Sequence, residues 1–141
     1  MRRDAYFGAY PFPKRRTALE NENQFTLSQL RYIISLFRLS RDGCGVKNSE
    51  LASALGISKP SVHNMLKFLI ELGVVKQESF GLAYLTEEGR ELAHKYAACY
   101  EIIENRIAEV CGSGAVSENA ICGILADIPP EKIDELYHSK K

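Results

Sequence analysis

The chain has no tryptophan, two methionines, three histidines and four cysteines. Cys44, Cys99, Cys111 and Cys122 make no CxxC and no close Cys/His pairing, so neither a disulfide framework nor a zinc knuckle is indicated. No apolar run reaches the length of about 20 residues that a membrane helix needs. Arg2 and Arg3 have no apolar core behind them, which argues against a signal peptide and makes the cytoplasm the expected compartment. Formal net charge is zero, so the whole chain has no global attraction to polyanions. Catalytic sets are missing as well. There is no paired-carboxylate motif, nucleophile–base set or phosphate loop, and His63, His94 and His138 are scattered. The chain is therefore expected not to be an enzyme.

What is present is an ordinary globular composition over 141 residues, 45% hydrophobic and 26% charged, long enough for one good core with an appended piece. Its charge is unevenly placed. Residues 1–16 carry five basic and one acidic side chain, and residues 26–73 carry six and three. Residues 87–141 carry six basic against eleven acidic. One end is thus suited to face phosphate and the other is not.

The most informative stretch is Asn48–Gly73, which reads as two short helices meeting at a glycine turn. Asn48 or Ser49 can cap the first, with Leu51, Ala54 and Leu55 on its apolar face. Gly56 can take the left-handed angle that ends it, and Ser58 can cap the second, with Pro60 near its start. Val62, Met65, Leu66, Leu69 and Leu72 make an apolar stripe, opposite Lys59, Ser61, Asn64, Lys67 and Glu71, with His63 at the edge. A corner of three residues, Gly56–Ile57–Ser58, fits a helix-turn-helix. The outward face carries groups that hydrogen-bond bases or phosphates: Ser58, Lys59, Pro60, Ser61, His63, Asn64 and Lys67 form the candidate DNA-binding set.

The flanking segments extend this reading. Residues 1–25 form a basic arm with Tyr6, Phe7, Tyr10 and Phe12, broken by Gly8, Pro11 and Pro13, and expected to be flexible. Whether it lies along DNA or on a partner subunit is left open by the residues. A helix from Thr26 to about Arg41, with Leu27, Leu30, Ile33, Ile34, Phe37 and Leu39 apolar, should pack behind the helix-turn-helix. Val74–Glu78 and Leu82–Leu85, joined by Ser79–Phe80–Gly81, read as a β-hairpin and so as a wing. Thr86 caps a long helix, Glu87 to Val110, of about 36 Å. Ser117 caps another, stopped by Pro129–Pro130, and a short final helix starts at Glu131. The expected fold is mainly α with a small β-hairpin. Residues 26–86 would form a winged helix-turn-helix DNA-binding domain and residues 87–141 a helical dimerisation region.

From Leu27 to Leu136 the chain resembles the metal-dependent repressors of the diphtheria-toxin-repressor and manganese-repressor type. The resemblance rests on ELASALGISKPSVHNMLKFLIELGVV, on GLAYLTEEGRELA, and on the long helix followed by a shorter one. The winged-helix part is also similar to the multiple-antibiotic-resistance-regulator class. The resemblance implies a winged-helix DNA-binding domain, a helical domain that dimerises, and a divalent metal (manganese or iron). It places base- and phosphate-reading positions at Ser58, Pro60, Ser61, His63 and Asn64. It also implies metal ligands at positions that hold Arg31, Tyr100, Glu104 and residues 120–124 here, where Cys122 is the one donor. Glu104, Cys122 and Glu101, with Cys99 or Glu118, are the remaining metal candidates.

Two readings follow. In the first, no cofactor is used, and Arg31 pairs with Glu104 in the place of the ion. In the second, a rearranged Cys/Glu site still binds a transition metal. Oxidant sensing through intersubunit disulfides of Cys99, Cys111 and Cys122 is a third possibility, against their role as small buried apolar residues. The function these residues point to is a sequence-specific, homodimeric transcriptional repressor bound to double-stranded DNA. The alternative is a winged-helix protein-interaction module that does not bind DNA.

Overall fold

A computed structural model describes residues 24–78 and 81–139. The basic arm up to residue 23, the Ser79–Phe80 part of the hairpin loop and the last two lysines lie outside the described residues. In chain order the elements are α1 (Leu27–Leu39), a 3-10 turn (Arg41–Gly43), α2 (Asn48–Leu55) and α3 (Lys59–Glu71). They continue with β1 (Val75–Gln77), β2 (Ala83–Leu85), α4 (Glu87–Cys111), α5 (Glu118–Asp127) and α6 (Pro130–His138).

Helix α1 is the shared wall of two apolar cores. Thr26 caps it, its side chain accepting from the Gln29 N–H while the Gln29 side chain accepts from the Thr26 N–H. Tyr32, Ile33 and Leu36 then pack with Leu51, Leu55, Val62, Leu66 and Leu69 of the helix-turn-helix. Leu30 and Ile34 point into a second cluster with Tyr96, Cys99, Ile121, Leu125 and Ile133. A helix buried from two sides needs more than one apolar stripe. For that reason Tyr32, Ser35 and Leu36 are buried although they lie outside the stripe read from the sequence, while Leu39 is exposed.

The hairpin is antiparallel, with Val75 opposite Leu85, Lys76 opposite Tyr84 and Gln77 opposite Ala83. Its inner edge is extended by a single bridge from Val46, which exchanges both backbone hydrogen bonds with Ala83 (2.9 and 2.8 Å). The wing is therefore tied to the segment that enters α2.

Behind the wing, Thr86 joins the end of the helix-turn-helix to α4. Its hydroxyl donates to the Gly73 carbonyl (2.7 Å) and accepts from the Gly89 N–H (3.0 Å), while its own N–H donates to the Val74 carbonyl (3.1 Å). Gly89 sits against that carbonyl so closely that a Cβ there would lie 2.0 Å from the oxygen. None of the helices is long and apolar enough to cross a membrane, among the described residues.

Candidate nucleic-acid interface

The corner between α2 and α3 is set by local chemistry. Gly56 has φ +70°, and the Ile57 N–H closes the end of α2 on the Ala52 carbonyl at 3.0 Å. Ser58 caps α3 as expected, its hydroxyl oxygen accepting from the Ser61 N–H (3.3 Å) while its O–H donates to Ser61 Oγ (2.9 Å). Pro60 then falls in the first turn, where a missing N–H leaves no helical bond unmade.

Burial divides α3, although Phe68 and Ile70 are exposed as well and Met65 is half-buried. Val62, Leu66 and Leu69 are buried, and Ser58, Lys59, Pro60, Ser61, His63, Asn64 and Lys67 are all exposed. The structure thus leaves every residue of the sequence-derived set open to solvent. Beside it lies a groove of about 470 Å³ between α1 and α3, with Gln29, Arg31, Ser61, Asn64 and Phe68 in its lining.

Three local expectations need correcting. Leu72, placed in the core stripe, is 45% exposed, because α3 ends at Glu71 and the chain turns away. Ala54 is exposed and Ala52 takes its place beside Leu51 and Leu55. The cap of α2 is Lys47, whose N–H is held by the Glu50 carboxylate at 2.8 Å. Asn48 instead accepts from the Gln77 side chain (3.2 Å), which also donates to the Gly81 carbonyl (3.0 Å) and so links wing and helix. On the wing, Lys76 stands 5.8 Å over the Tyr84 ring.

At the positions the resemblance assigns to a metal, the donor set is poor. Cys122 is fully buried, and that burial, followed by the Glu118 carboxylate, pushes its thiol up to about 11, against the deprotonation that ligation would require. Tyr100 is also raised, first by burial and then by Glu118 and Glu104, with Arg38 acting in the opposite sense. Glu101 and Glu104 are exposed. Among the described residues, no three of His, Cys, Asp and Glu stand together in a way that would hold a metal ion. A transition metal takes three or four donors at one point.

Cations occupy the region instead. Arg31 does not pair with Glu104. Its Nε faces Glu118 Oε1 at 3.9 Å, and its Nη2 donates to the Leu55 carbonyl at 3.2 Å. Arg38 Nη1 donates to Glu118 Oε2 at 3.0 Å, and its guanidinium lies 4.8 Å over the Tyr100 ring. Sequence reasoning passed over Arg38, although a residue seven positions from Arg31 on one helix returns to the same face. Of the other cysteines, Cys99 is buried with its Sγ 3.6 Å from the Ile133 carbonyl, and Cys44 and Cys111 are exposed.

Comparison with known proteins agrees with this geometry. Residues 33–79 match the model of the IclR helix-turn-helix domain. Transcriptional regulator MntR of Escherichia coli O157:H7 is 26% identical, the alignment covering 88% of each chain. The fold is similar to that of the manganese regulator SloR (TM-score 0.63, 19% identity) and of T. acidophilum IdeR (TM-score 0.60, 16% identity). Each of these likenesses covers 79% of this chain and 53% of the other, so the chain spans about half the length of those two proteins. The exposed α3 face, the wing behind it and the likeness to the transcriptional regulator MntR over 88% of the chain point the same way, to regulators and not to enzymes. The chain is a winged-helix protein similar to the DNA-binding transcriptional regulators of the manganese-regulator and diphtheria-toxin-repressor type.

Proposed function

We propose that the protein binds operator DNA as a homodimer, sets α3 of each subunit in the major groove, and represses by occupying promoter DNA without requiring a divalent metal. The observation that carries this reading is the exposed polar face of α3. Ser61, His63 and Asn64 are of the types that read base edges, flanked by Lys59 and Lys67 for phosphates. Electrostatics support it, because the basic excess of residues 26–73 sits in the reading half and the acidic excess of residues 87–141 in the other.

The homodimer rests on α4. Its second half carries Ile102, Ile103 and Ile107 only half-buried and Val110 at 85% exposure, a poor arrangement for a helix with no second surface to meet. Paired reading helices one DNA turn apart, about 34 Å, need such a spacer. A double-stranded DNA partner supports the cytoplasm as the expected compartment.

The metal-independent part of the proposal is supported by Arg31 and Arg38, whose guanidiniums face the Glu118 carboxylate beside the positions that the resemblance assigns to a metal. The test is a fluorescence anisotropy titration with duplex DNA from the region upstream of the gene, repeated over a salt series and with EDTA or manganese(II). The proposal expects affinity that falls linearly on logarithmic axes with salt and that does not respond to metal. Absence of salt-dependent binding would leave the protein-interaction module as the better account.

A further inference from the structure

Arg31 stands where three parts of the fold meet. It projects from α1, its Nη2 donates to the carbonyl of Leu55, the last residue of α2, and its Nε faces Glu118, the first residue of α5. Both contacts suit the charges at helix ends. The last carbonyls of α2 carry partial negative charge and attract a cation, and a carboxylate at the start of α5 is favoured by the N–H groups there. Arg38, one heptad along α1, holds the second oxygen of Glu118 at 3.0 Å and stacks on Tyr100 of α4. The Glu118 carboxylate is thus shared between two guanidiniums. Arg31 Nε is buried with no hydrogen-bond partner among the described residues, so Glu118 at 3.9 Å is the acid that balances its charge.

We infer that Arg31 is a positioning residue for DNA reading: through Leu55 on one side and Glu118 on the other, it fixes the helix-turn-helix corner against the helical region. This rests on the proposed operator binding. A guanidinium does not lose its proton in proteins and does not dissociate. The joint it makes therefore keeps its positive charge without a bound ion, in contrast to one closed by an exchangeable cation. Arg31 touches no DNA in this account. It acts by setting the angle at which α3 leaves the body of the subunit, and hence the separation of the two reading helices in a dimer.

The test is a double-mutant cycle of Arg31→Gln and Glu118→Gln in the full chain, read three ways: operator affinity, affinity for non-specific duplex, and thermal unfolding without DNA. Each single variant is expected to lose about tenfold in operator affinity. The double variant should be no worse than either single, and non-specific affinity, which depends on surface cations, should be unchanged. A variant that is merely less folded would lose both kinds of binding together. Arg31→Lys should recover part of the operator affinity by keeping the charge. The inference is overturned if the two losses add, if Arg31→Gln binds operator as the wild type does, or if wild-type operator affinity needs manganese(II) or is abolished by EDTA. If the wild type binds no operator at all, the proposed function fails. Unfolding then decides the joint alone, coupled losses retaining it and additive ones removing it.

Discussion

Replacing Gly89 by alanine should destabilise this protein, although the position is helical and intrinsic propensity argues the reverse. Gly89 is in the first turn of α4, where alanine would ordinarily gain about 1 kcal/mol over glycine. Its Cα, however, rests on the backbone of Val74, and an added Cβ would lie 2.0 Å from the carbonyl oxygen and 2.8 Å from the carbonyl carbon. No side-chain rotation relieves a clash with backbone. Nor is Val74 free to withdraw, because its carbonyl accepts from Thr86 and the preceding Gly73 carbonyl accepts the Thr86 hydroxyl. Overpacking costs about 1–3 kcal/mol, and an unyielding neighbour puts this site at the upper end. Set against the propensity gain, the net loss is about 2 kcal/mol, or a drop in Tm of about 4–8 °C for a domain near this size. The assay is thermal unfolding followed by circular dichroism. Gly123→Ala serves as control. Its Cβ would meet only the tip of the Leu27 side chain, at 3.3 Å, and it should stay within about 1 kcal/mol of wild type. A higher Tm for Gly89→Ala would refute the close contact between the end of the helix-turn-helix and α4.

Three further outcomes are expected. Burial, with smaller contributions from Cys99 and Asp134, holds the Tyr96 phenol at about 12 against 10.0 for a free tyrosine, so folding favours its neutral form. That contribution, about 2–3 kcal/mol, is complete below pH 10 and lost as pH rises towards 12. Tyrosinate absorbance should show one late phenol ionising only as the protein unfolds, and a Tyr96→Phe variant should lack that phase. Alkylation with iodoacetamide at pH 8, mapped by mass spectrometry, should label the exposed Cys44 and Cys111 and spare Cys122 until denaturant is added. Rapid labelling of Cys122 in the folded protein would contradict its buried place. Lys67→Ala should weaken binding to all duplexes alike and reduce the salt slope by about one. A change confined to one sequence would show that Lys67 reads bases instead.

Much of this was legible in the sequence because the signals were local. Gly56 and Ser58 determine the corner through a left-handed backbone angle and a side-chain cap, each requiring only nearby residues. Thr86 and Ser117 likewise mark the starts of α4 and α5. What escaped depends on distant partners. Leu36 and Tyr32 are buried because α1 is enclosed by two cores, and no single helical stripe encodes that. Val46 pairs with Ala83 across a gap in sequence that periodicity cannot bridge. The partner of Arg31 is Glu118 and not Glu104, because α5 folds back onto α1 and brings its first turn to the arginines, while Glu104 faces outward from α4.

The central claim is that the outward face of α3 reads DNA sequence. It is tested most directly by measuring wild type and Asn64→Ala against the operator and against a scrambled duplex of equal length, in the same salt. The account predicts that the substitution costs about 1–3 kcal/mol on the operator and little on the scrambled duplex, narrowing the ratio between them. An Asn64→Ala protein that keeps the wild-type ratio would contradict it.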